Sequence, residues 1–383
     1  MSTTSDTSGP RGGGLSFITA TRSRTIQAVL LALAALVALF LPYMTTPFWL
    51  NVAIDICAFA VLGISYNILL GRAGIFSFGH ALFFGGGAYG VAAFTTDSGL
   101  PLAVAALGGV LVATVLALLV GLVAARVRGI YFGMLTLAVA QVGFTIADRD
   151  IGGITGGENG LAVGGIPELL NSNVRQDMLY WLSFGVLAGV LILVAIMYRS
   201  AAGRFWEGMR ENEVRMQATG VNVARHRLTV FIVAGALAGV AGVMHALSVQ
   251  TVTPSDTNVP ITVQALLITV IGGSGSFWGP VLGAVFVRMM PPLLDELAAN
   301  PSIQELPDRL ERAVTSQFLI LGIIYILFVV YLPGGFTAAF NRLLGRVDRG
   351  KGPPGGPPDT PDRTPSAGES SPVTTGRSAG ADG

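Results

Sequence analysis

Lysine and cysteine each occur once in this chain, at Lys351 and Cys57. Lys351 is followed by Gly, so the phosphate-binding pattern G-x-x-x-x-G-K-[ST] is absent and ATP hydrolysis by that route is excluded. A single thiol excludes an intrachain disulfide, and inside its apolar run Cys57 reads as a small hydrophobe. The three histidines (His80, His226, His245) are scattered, and no His, Cys and carboxylate residues have metal-ligand spacing. Nothing pairs a nucleophile with a base as a membrane hydrolase requires. A proton-coupled carrier would want a more convincing relay of buried acids. With only 12% charged residues against 52% hydrophobic and 51 Gly, a soluble globular domain is excluded as well.

What is present is a series of long apolar runs. A membrane helix takes about 20 mainly apolar residues. Plausible spans are Thr25–Tyr43, Trp49–Leu70, Ser77–Phe94, Leu100–Ala125, Ile130–Ala147, Met178–Tyr198, Leu228–Val249 and Gln317–Tyr331. A less regular apolar pair covers Ile261–Ile271 and Pro280–Met290. The chain is therefore predicted to be an all-α, polytopic transmembrane bundle of eight to ten spans. The first run lacks a clear small-residue cleavage site and reads as a retained helix.

Arginine sets the orientation. Arg11, Arg22 and Arg24 precede the first span, Met44–Phe48 is uncharged, Arg72 follows the second span, Asp97 the third, and Arg126 with Arg128 the fourth. Asp148–Asp177 is net acidic, and six Arg then crowd between Tyr198 and Leu228. Positive loops lie on the cytoplasmic side, so the N-terminus and the Arg-rich island face the cytoplasm. The acidic loop Asp295–Arg312 reads as external and the basic tail (Arg342, Arg346, Arg349, Lys351) as internal. That parity favours ten spans with both termini cytoplasmic. Trp49, Tyr180, Trp181, Tyr198 and Tyr331 stand at span edges, as interfacial anchors do. Residues 1–23 and 348–383 are polar or Pro/Gly-rich and predict disordered tails around a transmembrane domain at 24–335.

Four features inside the domain carry alternative readings. Gly272-Gly273-Ser274-Gly275-Ser276-Phe277-Trp278-Gly279 divides two apolar halves, each short for a span. This is either a broken helix lining a pathway or a tight turn between tilted helices. Ser77–Phe94 is rich in Gly, which serves close helix packing or lines a path. Asp55 lies six residues past Trp49, about 9 Å along its helix toward the external mouth. It meets a substrate ammonium there, or hydrogen-bonds a neighbouring helix. His80, beside Gly79 and near Ser77, reads as a gate or a packing hydrogen-bonder, and His245 as an interhelical donor. The candidate pathway residues are Asp55, Ser77, Gly79, His80, Gly272, Gly273, Gly275 and Gly279.

The island, residues 199–227, predicts a short amphipathic helix between Gly203 and Gly220, since Arg204 to Thr219 lacks Pro. Glu207–Arg210 and Glu211–Arg215 have the favourable i,i+3 and i,i+4 order, and Phe205, Met209 and Met216 share one face. Such a helix lies on lipid or seats in a groove of a cytosolic protein. Three Glu in the run (Glu207, Glu211, Glu213) weaken the lipid reading.

The motifs also carry a resemblance. Asn67–Ala92 ("NILLGRAGIFSFGHALFFGGGAYGVA"), Arg128–Gln141 ("RGIYFGMLTLAVAQ"), Thr155–Leu161 ("TGGENGL") and Gly203–Leu228 ("GRFWEGMRENEVRMQATGVNVARHRL") resemble the LivM-like permeases of branched-chain amino acid ABC importers. "AGALAGVAGVMHAL" (Ala234–Leu247) and Val270–Ala284 ("VIGGSGSFWGPVLGA") continue the likeness, which covers roughly residues 30–335 with the motifs in family order. The resemblance implies a multi-pass permease of the bacterial inner membrane, working by alternating access and not itself an enzyme. Its implied partners are a second, LivH-like permease, two cytosolic ATPase subunits that hold ATP and Mg, an external substrate-binding protein and membrane lipid. No nucleic acid and no cofactor of its own are expected. The island becomes the ATPase-coupling segment, with Arg210, Glu211, Asn212, Glu213, Ala218, Gly220 and Asn222 on the family pattern and Gly203, Arg204 and Glu207 beside them. Ile75 stands where the family commonly has Gln, and His226-Arg227 replaces a Lys-containing pair. Urea and short-chain amide permeases share much of this signature, so they are the alternative, followed by an ion-coupled secondary transporter.

Overall fold

The computed structural model describes residues 42, 44–96, 100–124, 126–127, 129–167, 175–298, 317–332 and 334–339. Apart from residue 42, the predicted first span Thr25–Tyr43 lies outside the described residues. So do both predicted tails, Asp97, Arg128, most of the acidic loop and the basic residues from Arg342 onward.

The regular secondary structure of the described residues is helical apart from one small ribbon. Helix α1 is Pro47–Asn67, started by Pro at its first turn and continued by a π-helical turn at Ile68–Arg72. α2 spans His80–Thr96, α3 Leu102–Ala124, α4 Ile130–Asp148 and α5 Gln176–Arg199. Two short helices follow, α6 (Ala201–Glu211) and α7 (Glu213–Ala218), then the long α8 (Val223–Val249). α9 (Val259–Gly272), α10 (Gly279–Ala298) and α11 (Gln317–Tyr331) complete the bundle. Strands β1 (Leu161–Ala162) and β2 (Thr251–Val252) pair antiparallel and tie the α4–α5 loop to the end of α8. Among the described residues, five helices are long and apolar enough to cross a membrane: α1 with its π turn, α3, α4, α5 and α8. The fold is that of an all-α polytopic membrane protein.

On α3 the packing inverts that of a water-soluble protein. α3 turns Ala105, Gly109, Ala113, Ala117 and Gly121 inward and leaves its larger residues outside; Leu107 is 72% exposed while Ala113 is fully buried. Lipid chains are as apolar as leucine, so helices associate by close van der Waals approach through small side chains. The Gly-rich α2 is the clearest case. A Cβ on Gly87 would sit 2.7 Å from Gly239 Cα of α8, and one on Gly90 2.7 Å from Gly109 Cα of α3. These glycines serve the α2–α3–α8 core by close packing, one of the two readings the sequence left.

Two boundaries differ from expectation, and a third feature resolves to one of its two readings. The third span begins at His80, not Ser77; residues 73–79 are irregular and fold back beside α1. Their backbone is paired by neighbouring side chains, because unpaired amides are costly away from water. Tyr66 Oη donates to Ser77 O at 3.0 Å, Phe78 N to Thr136 Oγ1 at 3.1 Å, and Thr262 Oγ1 to Phe78 O at 3.2 Å. The amphipathic helix is broken at Asn212, which adopts extended backbone (φ −161°, ψ 101°) and caps α7 by accepting from Arg215 N at 2.9 Å. The less regular apolar pair is an antiparallel hairpin, α9 and α10, with Gly272 packed on Gly279 and Ile268 on Gly283. That is the tight-turn arrangement.

A candidate coupling surface and a buried charge cluster

The two ends of the bundle hold different chemistry. At one end, α5 gives way to α6 at a sharp corner. Ser200 Oγ accepts from Gly203 N at 3.4 Å, and a Cβ on Gly203 would lie 2.9 Å from Tyr198 Cα, so the corner has room only for glycine. α6 buries Gly203, Trp206 and Met209 at i, i+3, i+6, and Trp206 is fully buried. The predicted stripe of Phe205, Met209 and Met216 is corrected accordingly. The break at Asn212 shifts the helical phase, Met216 packs on Gly208, and Phe205 stacks on His226 with centroids 4.7 Å apart. Sequence reasoning passed over Trp206, although it lies on the i±3 row of Met209.

The expected local pairs Glu207–Arg210 and Glu211–Arg215 do not form. Glu207 pairs with Arg72 of the π turn at 3.2 Å, and Arg72 lies over the Tyr198 ring, 4.1 Å from its centroid. Arg210 Nη1 donates to Gly71 O at 2.5 Å. For Glu207 and Arg210, tertiary partners with fixed geometry displace the weak exposed i,i+3 contact, worth only about 0.2–0.5 kcal/mol, while the break at Asn212 parts Glu211 from Arg215. Glu213 binds Arg227 at 2.6 Å, and Arg227 also donates to Val127 O at 2.9 Å. Asn222 caps α8 by accepting from Arg225 N at 3.1 Å. Gly220 turns the chain at φ +84°, and Ala218 ends α7. Arg204, Glu207, Arg210, Glu211 and Asn212 remain exposed along the outer face. Behind this face a cavity of about 260 Å³ is lined by Ile75, Phe76, Phe132, Met209, Arg210 and Arg227.

The hairpin turn meets the same end. Asn67, buried at 1% exposure, donates from Nδ2 to Ser276 O at 2.8 Å and accepts from Gly275 N through Oδ1 at 2.7 Å. Gly275 touches both Gly71 and the Arg210 guanidinium. Gly273, at φ +109°, and Gly272 pack against residues 334–337, where Thr337 Oγ1 donates to Gly272 O at 3.3 Å. Of the candidate pathway glycines in the turn, Gly275 lies against Arg210, whereas Gly272, Gly273 and Gly279 pack within the turn and on residues 334–337.

Ser77, Gly79 and His80 sit together elsewhere. Ser77 and His80 are fully buried, and Gly79 N donates to Ser77 Oγ at 3.2 Å. Ser65 gives its hydroxyl hydrogen to Ala234 O at 2.6 Å, so it accepts from His80 Nε2 at 3.1 Å, which fixes the proton on Nε2. His80 packs edge-on to Tyr66 and Phe83.

Toward the opposite end, Asp55 is the centre of a charge cluster. It pairs with Arg288 of α10 through Nη2 and, at 2.5 Å, through Nε. His245 of α8 places Nδ1 3.3 Å from Asp55 Oδ1 and Nε2 3.5 Å from Asp256 Oδ1. Arg288 Nη1 also donates to Gln264 Oε1 at 3.2 Å. Arg288 and Asp256 were not foreseen. The available signal for Arg288 was a charge inside an apolar run; its partner, 233 residues away, was not readable. No group of three or more His, Cys, Asp or Glu suited to a metal ion occurs among the described residues.

The family described as "Branched-chain amino acid transport system / permease component" matches residues 48–329. The chain is similar to the high-affinity branched-chain amino acid transport system permease protein LivM of Salmonella typhimurium, at 28% identity over 70% of this chain and 69% of that protein. LivM of Escherichia coli is 26% identical with the same coverages, and a probable LivM of Methanocaldococcus jannaschii is 24% identical over 59% of this chain and 66% of that one. With a family match across most of its length and helices to cross a bilayer, the chain belongs to the permease components of branched-chain amino acid transport systems, the membrane subunits of ABC importers.

Proposed function

We propose that this chain moves branched-chain amino acids inward across a bacterial inner membrane. It would do so as one of two homologous permeases, driven by two cytosolic ATPase subunits and supplied by an external binding protein. The observation that carries the reading is the build of α6–α7. Trp206 anchors the segment in the core, Arg72–Glu207 and Arg210–Gly71 tie it to α1, and its outer face is left exposed. A segment so held transmits a push from the cytoplasm into the spans instead of bending away from it. ATP and Mg belong to the ATPase partners in this scheme, since the sequence has no phosphate-binding loop of its own.

Ten spans with both termini cytoplasmic follow if Thr25–Tyr43 precedes α1. The contacts at helix ends support alternate directions for α1, α2, α3, α4, α5, α8, α9, α10 and α11. The Arg-bearing end, with Arg72, Arg126, Arg204, Arg210 and Arg227, is then cytoplasmic. Rocking of the spans about the coupling segment would alternate access. Uptake of leucine into proteoliposomes, with each component omitted in turn, tests the scheme. Uptake is expected to stop without either the ATPases or the binding protein. Uptake sustained without the ATPases by an ion gradient would overturn it in favour of a secondary transporter.

A further inference from the structure

We propose that the Asp55–Arg288 pair is a recognition point inside the permease for the α-ammonium and α-carboxylate of an amino acid, with His245 and Asp256 positioning Asp55. This rests on the transport function proposed above and deepens it by assigning residues and a substrate class.

Charges within membrane helices are costly to place, and they mark substrate pathways by default. A buried pair that is merely structural can usually be replaced by apolar groups without loss. Here four charged or titratable side chains from α1, α8, α10 and the loop after α8 converge, although none is close to another in sequence except His245 and Asp256. They are not sealed. The side chains of Arg288, Asp55, His245 and Asp256 keep 26%, 17%, 14% and 12% exposure, so Arg288 is the accessible edge.

The remaining contacts divide the labour. Asp256 Oδ2 is committed to Thr253 N at 2.8 Å, so Asp256 serves as the fixed post for His245. His245 in turn orients the Asp55 carboxylate toward Arg288. The guanidinium lies over the Phe59 ring, 4.1 Å from its centroid, and Phe84 lies 5.4 Å from the His245 ring. An apolar aromatic wall therefore borders the ion pair.

Charge accounting selects the ligand. A zwitterion entering between Asp55 and Arg288 exchanges one ion pair for two and leaves no charge unpaired. An amine lacking the carboxylate leaves Arg288 alone, and an acid lacking the ammonium leaves Asp55 alone. Each is penalised, because an uncompensated charge in a low dielectric is expensive. Urea or an amide splits the pair and returns only dipoles. The cluster thus favours amino acids over urea and short amides, a choice the sequence motifs leave open.

The test uses the assembled permease pair with its ATPases, without the binding protein, so that upstream selection is absent. Saturable binding of radiolabelled leucine is measured, with isopentylamine, 4-methylpentanoate and urea as competitors. Wild type is expected to bind leucine, with each competitor weaker by about tenfold or more. Asp55→Asn and Arg288→Gln, measured on complexes that co-purify with their ATPases, should lose binding by a similar factor. Arg288→Lys, which keeps the charge, should recover part of it. Absence of saturable leucine binding by wild type would overturn the inference, as would equal competition by the one-charge analogues. If Arg288→Gln does not assemble, Arg288→Lys and the competitor series still decide. Should the complete importer take up leucine with ATP while Arg288→Gln does so unchanged, this inference alone fails. Should the complete importer take up no amino acid, the proposed function itself falls.

Discussion

Asn67→Ala isolates the joint between α1 and the hairpin turn. The substitution removes both bonds to the turn, leaving Gly275 N–H and Ser276 C=O without their partner. An unsatisfied buried polar group costs about 1–3 kcal/mol, giving a ceiling of about 6 kcal/mol for the two. Interhelical hydrogen bonds in a membrane average about 0.6 kcal/mol, which sets a floor of about 1 kcal/mol. Asn67 is 1% exposed, and its neighbours Gly71 and Gly275 are packed on one another, so no water enters to replace it. The expected loss therefore lies in the upper half of that range. Cys57 supplies the assay. It is the sole thiol of the chain and is 6% exposed in the middle of α1, so a thiol-reactive dye reports opening of the bundle without a competing site. The thermal midpoint of dye labelling in detergent should fall clearly for Asn67→Ala. Asn67→Asp should fall at least as far, because it turns an oxygen toward Ser276 O. Equal midpoints for wild type and both variants would refute the reasoning that Asn67 holds the turn.

Glu211→Arg should abolish ATP-coupled uptake with little effect on the thiol-labelling midpoint, because Glu211 is exposed and such surface changes stay within about 0.5 kcal/mol; normal uptake would remove this face from coupling. Gly87→Val places atoms where Gly239 already sits, 2.7 Å from a Cβ, so a loss of about 1–3 kcal/mol or more is expected in the same melt. Gly185→Val, where a Cβ meets nothing within 4 Å, is the neutral control. The loop after α4 should respond to acid. Hydrogen bonds from Thr155, its backbone N–H first, hold the Asp150 carboxyl below the usual carboxylate range. A depressed carboxyl stabilises the loop above its unfolded value, and that contribution is lost as pH falls through the folded value. Protection from amide exchange at residues 155–160, taken relative to the intrinsic rate at each pH, should therefore fall below the ordinary aspartate range, and Asp150→Asn should remove that fall.

Most of the fold was legible because a bilayer imposes a length and a polarity on every span. The runs at Trp49–Leu70, Leu100–Ala125, Ile130–Ala147, Met178–Tyr198 and Leu228–Val249 match α1, α3, α4, α5 and α8 to within a few residues, apart from a start at Val223 for α8. Where irregular backbone enters the bundle, reading failed. Residues 73–79 are as apolar as a helix start, and their non-helical course is satisfied in part by Tyr66 and by Thr136 and Thr262, the last two distant in sequence. The helix around Glu207 and Arg210 was readable as amphipathic. Its buried face was not, since the break at Asn212 depends on a cap that competes with continued helix.

Composition and Arg placement alone determined a polytopic helical membrane protein and its expected orientation, and the motifs in order carried its resemblance to the permeases of ABC importers. They do so because lipid, nucleotide chemistry and membrane polarity each act on residue types regardless of their neighbours. Which polar groups meet was decided only by the tertiary structure. Asp55 finds Arg288 across 233 positions, and Arg210 turns from a local glutamate to the carbonyl of Gly71. In a low dielectric a charge takes whatever partner the packed helices bring within reach, and close packing of glycine on glycine sets that approach.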